Sequence, residues 1–149
     1  MAKEKLLISA CLFGLNVKYD GKSNYLGRKI LNRLQKFYDL VPACSEVFGG
    51  LPTPREPAEI TKEGKVLTKS GKDVTKNFIR GAKEVLKVCK RLGIKKALLK
   101  QRSSSCGVGE IPDGTFKKRV IKGYGILARM LKDEGIELFT EEDIEKLLK

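Results

Sequence analysis

Four cysteines and no histidine limit the chemistry open to this 149-residue chain. Without an imidazole no Ser–His or Cys–His nucleophile can be assembled, and any metal must rest on thiolate and oxygen ligands. Cys11, Cys44 and Cys106 share one address in the pattern. Each follows a short apolar run: Leu6-Leu7-Ile8 before Cys11, Leu40-Val41-Pro42 before Cys44, and Ala97-Leu98-Leu99 before the hydroxyl- and glycine-rich loop around Cys106. Three thiols with no fixed fourth ligand leave one coordination position open, which suits either a Cys-ligated zinc or an iron–sulfur cluster with one free iron. The chain has no C-x-x-C, which disfavours a compact zinc finger. Glu46, two residues after Cys44, is expected to share a face with it on extended backbone and to take or give a proton. Cys89 lies four residues after Val85 on an apolar helical face and reads as a small buried hydrophobe.

The elements that must position these groups can be read around them. Residues 5–10 form an apolar run suited to a strand buried on both faces. A polar loop over 14–24 follows, with Asp20-Gly21 as a turn signal and Ser23 or Asn24 as a helix cap. If that loop opens a helix, its amides can bind a phosphate, so Lys22, Ser23 and Asn24 are candidate substrate contacts. Leu26, Ile30, Leu31, Leu34 and Phe37 recur at helical spacing over 25–38. Gly49-Gly50 and three prolines bar continuous helix over 45–64, which reads as a long loop with 49–57 as a candidate lid. Residues 65–67 are a brief extended piece. A helix over 74–92, capped by Asp73, ends at Gly93, and another over 124–134 ends at Gly135. Strands follow each, over 94–100 and 136–139, and a terminal helix opens near Thr140. Val120-Ile121 is too short to assign.

This alternation predicts one α/β domain over residues 1–149. It has a mostly parallel sheet with helices on both faces, Rossmann-like and doubly wound. In such a sheet the strand ends that precede crossovers lie on one edge, so the three thiols are expected to converge there.

The net charge of +13, from 31 basic and 18 acidic residues, favours anionic partners such as nucleotides, RNA or phosphorylated metabolites. The lysines form no dense block. Six Phe, four Tyr and no Trp offer little stacking platform, so nucleic acid is a partner that the charge permits but the aromatics do not favour. No apolar run is long enough to cross a membrane, and a cytoplasmic location is expected. In a reducing cytosol the cysteines would serve packing, metal binding or catalysis rather than disulfides.

Several separated motifs, in order, resemble the thiouracil desulfidase (TudS-type) family in its short stand-alone form. They are Ser9-Ala10-Cys11-Leu12 with Gly14, Tyr19-Asp20-Gly21, Val41-Pro42-Ala43-Cys44-Ser45-Glu46, Gly49-Gly50-Leu51-Pro52-Thr53-Pro54-Arg55 and Ser103-Ser104-Ser105-Cys106-Gly107. The resemblance runs through nearly the whole chain. It implies an enzyme that removes sulfur from a thiolated uracil, as free base or as 4-thiouridine monophosphate, giving uracil or UMP plus sulfide with no net redox change. It implies a 4Fe–4S cluster on Cys11, Cys44 and Cys106 and catalytic roles for Glu46 and Ser103, with Ser104 and Ser105 left to loop geometry. The chain departs from the pattern at Val17, where many relatives have a further cysteine. Ser45 and Ser104 stand where prolines are common, and Gln101 where an acidic residue is common. Two rivals remain: a zinc-dependent hydrolase on the same trio, and an RNA-binding module with structural cysteines.

Overall fold

The computed structural model describes residues 2–148. In chain order the elements are β1 (Glu4–Ser9), α1 (Ala10–Phe13), α2 (Arg28–Gln35), β2 (Tyr38–Ala43), α3 (Ser45–Phe48), β3 (Ala58–Ile60), β4 (Val66–Thr68) and α4 (Thr75–Leu92). They continue with β5 (Lys96–Leu99), β6 (Val108–Pro112), β7 (Val120–Tyr124), α5 (Ile126–Asp133), β8 (Glu137–Thr140) and α6 (Ile144–Leu147). The central sheet has four parallel strands in the order β2-β1-β5-β8. Two antiparallel hairpins, β3-β4 and β6-β7, stand outside it.

The period of two in β1 sorts the core. Leu7 faces one layer, with Ala82, Val85 and Cys89 of α4 and Leu127, Ala128 and Leu131 of α5. Leu6 and Ile8 face the other, with Leu31 and Leu34 of α2 and Ile144 and Leu147 of α6. Helices therefore cover both faces, as the alternation predicts. Each fully buried aliphatic side chain here contributes on the order of 2 kcal/mol relative to exposure.

The strand order reverses between β1 and β5, because the chain leaves β1 for β2 on one side and returns to β5 on the other. The C-terminal edge at that reversal is where open α/β sheets form their ligand crevice. β1 and β2 stay in register to Ser9 and Ala43, so Cys11 and Cys44 emerge side by side just past the paired ends.

Several boundaries differ from the sequence reading. The 25–38 helix begins only at Arg28, after Gly27 with φ 97°. The amides of Asn24 and Leu26 bond the carbonyls of Cys11 and Leu12 instead, which holds 24–26 extended beside α1. The 45–64 stretch contains α3 and β3, so it is not one loop. Val120-Ile121 belongs to a five-residue strand, β7. The terminal helix is a single turn.

Candidate active site

The carboxyl ends of β1, β2 and β5 open into a cavity of about 600 Å³ that Cys11, Cys44 and Cys106 all line. None of the three is in a disulfide. Cys11 sits in α1, and the nearby Asn24 side chain favours its thiolate. Cys44 is the residue before α3, whose first amides, of Glu46 and Val47, favour its thiolate. Cys106 is buried, and Ser9 Oγ lies 3.4 Å from its sulfur as a donor.

Burial pushes all three thiols above the ordinary value, Cys106 up to about 12. At Cys11 and Cys106 the neighbouring sulfurs add to the rise. Coordination to a cation reverses this, since a ligating thiol is deprotonated outright. The donor set is soft and all-sulfur, which is the chemistry of iron–sulfur and zinc sites. Among the described residues no three His, Cys, Asp or Glu side chains gather tightly enough for one ion. Three thiols lining one cavity could hold different irons of a polynuclear cluster. Cys89 stays on the inner face of α4, outside the cavity, with its thiol pushed by burial up to about 11.

Glu46 also lines the cavity. It reaches Cys44 through the first turn of α3 rather than along extended backbone. Its carboxylate is held at both oxygens: Arg55 Nε donates to Oε1 at 3.1 Å and Ser105 Oγ to Oε2 at 2.9 Å. Arg55 is itself locked. Its Nη1 bonds Pro52 O and Thr53 Oγ1, its Nη2 bonds Val17 O, and its side chain is 7% exposed. The 49–57 segment, expected as a lid, is thus the brace of the carboxylate.

Ser103 Oγ accepts the amides of Ser105 and Cys106, at 3.2 and 3.1 Å, and lies 3.1 Å from Ser105 Oγ. A serine hydroxyl has one proton and two lone pairs. With both lone pairs on amides, the Ser103 proton is left to face Ser105, whose own proton faces Glu46. The three groups form a directed chain. The sequence reading set Ser105 aside as loop geometry and missed it.

The neighbouring helices hold this arrangement. The carbonyls of Ser104 and Ser105 cap the first amides of α5. Gly125 permits that contact, because a Cβ there would lie 2.4 Å from the Ser105 carbonyl carbon. On the other side α3 rests on α4 at Gly81, where a Cβ would lie 1.7 Å from Ser45 O. Gln101 bonds both the amide and the carbonyl of Val108, a pair that an ionised carboxylate could not satisfy because it has no donor.

Of Lys22, Ser23 and Asn24, only Asn24 lines the cavity, and it serves Cys11. Lys22 and Ser23 lie outside, and the loop opens no helix because α2 starts later. The cavity's cations come from elsewhere. Lys100 and Arg102 are paired with Glu141, Glu110 and Glu142. Lys69, Lys118 and Arg119, delivered by the two hairpins, line the cavity with no ion pair among the described residues. No helix among the described residues is long and apolar enough to cross a membrane.

A family model described as 2-thiouracil desulfurase matches residues 6–143. The chain is 36% identical over 152 aligned positions to an uncharacterized protein, YbbK, of Bacillus subtilis (strain 168), covering 96% of this chain and 99% of that one. A solved structure of a 4Fe–4S-dependent thiouracil desulfidase, TudS, matches with a TM-score of 0.91 at 44% identity, covering 97% of this chain and 95% of that one. The family match runs from β1 to the edge of α6 and so takes in the whole sheet, not a motif alone. The chain belongs to the 2-thiouracil desulfurase family.

Proposed function

We propose that the protein is a desulfidase of thiolated uracil that holds a 4Fe–4S cluster on Cys11, Cys44 and Cys106. One observation carries the reading: three strand-end thiols and a doubly held carboxylate share one cavity in a chain without histidine. Family membership and the likeness to TudS support it. When bound, the cluster supplies an iron with no protein ligand, a Lewis acid with affinity for sulfur.

The chain's own residues do the proton work. Glu46 takes a proton from a water that attacks the thiocarbonyl carbon. Once Glu46 is protonated it donates to Ser105, and Ser105, still accepting from Ser103, turns its own proton to the substrate. Water and thiouracil become uracil and hydrogen sulfide, and no electron is gained or lost. Arg55 keeps the carboxylate aimed throughout.

Lys69, Lys118 and Arg119 at the cavity favour a phosphorylated substrate, 4-thiouridine monophosphate, over the free base. The deciding experiment is purification without oxygen, reconstitution with iron and sulfide, and sulfide assays on 4-thiouridine monophosphate and thiouracil. Bound iron and sulfide with faster release from the nucleotide is the expected result. A protein that takes up zinc but no iron, or that releases sulfide from neither compound, would overturn the reading.

A further inference from the structure

Two rings line the cavity, Tyr19 and Phe116, and Tyr19 is 41% exposed. Phe116 lies on the turn over 113–119 that joins β6 to β7. That turn is longer than the roughly two to five residues of ordinary hairpin loops. It also holds Phe116 at φ 60° and Lys118 at φ 58°. For a bulky L-residue this left-handed region is an outlier, whereas glycine enters it freely. Such strain persists only where the surroundings impose it, and it concentrates at ligand sites.

The surroundings here are identifiable. Glu59 of β3 extends a carboxylate oxygen that accepts both the Gly114 amide at 2.9 Å and the Phe116 amide at 3.1 Å. Gly114, at φ 91°, presses so close to β3 that a Cβ would lie 2.8 Å from Ile60 O. From within the turn, Asp113 Oδ1 accepts the Thr115 amide and hydroxyl at 2.9 and 2.6 Å. One hairpin therefore pins the tip of the other over the cavity, and the pinned residue presents a phenyl ring there.

We propose that Phe116 recognises the pyrimidine ring by stacking on it, and that Glu59 is the positioning residue that holds Phe116 in place. The inference rests on the thiouracil reading of the site. A thiolated pyrimidine is flat and polarisable, and a phenyl face binds it without competing for its thiocarbonyl edge. That edge stays free to face the thiols and Glu46. Lys118 and Arg119 ride on the same turn, so ring and phosphate contacts are delivered as one rigid piece. Acyclic thioamides, which have no ring to stack, are poor substrates on this account.

The test uses Phe116→Gly, Phe116→Tyr, Glu59→Ala and the Glu59→Ala/Phe116→Gly double variant. Phe116→Gly relieves the left-handed strain, so its thermal midpoint rises. Its KM for 4-thiouridine monophosphate rises roughly ten-fold, the size of one lost stacking contact, while kcat and the visible spectrum of the loaded enzyme hold. Phe116→Tyr restores KM. UMP, which keeps the ring, binds cluster-free Phe116→Gly weaker by the same factor. Glu59→Ala raises KM with Phe116 present, and the double variant is no worse than Phe116→Gly alone.

Unchanged KM and UMP affinity in Phe116→Gly overturns the ring assignment. A lowered midpoint with unchanged KM does the same, by making Phe116 a packing residue. Additive effects in the double variant overturn the role of Glu59. Absence of sulfide release by the wild-type enzyme removes the desulfidase reading instead, and the UMP titration then still decides whether Phe116 binds the ring.

Discussion

Glu46 depends on two donors that differ in kind. Arg55 is a fork with no room to move, and replacing it with lysine keeps the charge but loses the geometry. Arg55→Lys is expected to lower kcat by about ten-fold or more with iron content unchanged. Arg55→Ala adds a stability loss on the order of 2 kcal/mol in urea unfolding. That is less than for a fully buried pair, because Glu46 is 20% exposed. Ser105→Ala cuts the hydroxyl chain while leaving the Ser103 contacts to the Cys106 backbone, so kcat falls by about ten- to a hundred-fold at steady KM. A steady kcat in that variant removes Ser105 from the proton path. The sequence could list three adjacent hydroxyls but not rank them. What separates them is a carboxylate 59 residues away, and no spacing rule reaches that far. The cysteine trio was legible because each thiol follows an apolar run, and parallel strands turn that local fact into a shared edge.

Between elements, glycine sets the distances. Gly81 lies inside α4, where a helical glycine replaced by alanine ordinarily gains about 1 kcal/mol. Here the new methyl would strike the Ser45 carbonyl and push away α3, which carries Glu46 and follows Cys44. Gly81→Ala is therefore expected to lose about 1–3 kcal/mol and to bind less iron, read by unfolding and metal analysis on the same preparation. At the head of α4, Asp73 Oδ1 accepts the Thr75 amide at 2.9 Å. The Thr75 hydroxyl and amide hold this carboxyl below its ordinary value of 3.8. A lowered acid stabilises the fold above the ordinary value and stops doing so as pH falls through the lowered one. The thermal midpoint of Asp73→Ala should thus lie below wild type at pH 7, and the gap should close as the carboxyl is protonated in acid. Long helices with glycine stops were readable because their period and their terminator agree. The hairpins were legible only in part: the extended piece over 65–67 matches β4, whereas three-residue β3 and the Val-Gly-Glu-Ile-Pro of β6 carry no clear strand period. Asp113-Gly114 marks the turn in the sequence, but nothing there ties it to Glu59 of the other hairpin.

Over the whole molecule, the surplus of positive charge is spread in sequence but not evenly in function. The unpaired cations reach the cavity from the hairpins, while cations near the thiols are neutralised by Glu141, Glu110 and Glu142. Added salt should therefore raise KM for 4-thiouridine monophosphate several-fold and leave KM for thiouracil nearly unchanged. Equal salt sensitivity for both would place the phosphate elsewhere. The composition announced the charge but could not say which lysines the hairpins bring to the cavity.

The strand order also sets a sequence of events in time. Cys11 and Cys106 become neighbours only when residues 6–8 of β1 pair with 96–98 of β5, one of the longest-range contacts in the sheet and so among the slowest to close. A nascent chain that has emerged only as far as α4 owns two of the cavity thiols and lacks the third. Until β5 docks, the three thiols do not share a cavity. On the proposed ligand set, cluster loading follows the docking of β5, and a copy in which β5 has not docked has no shared trio to offer.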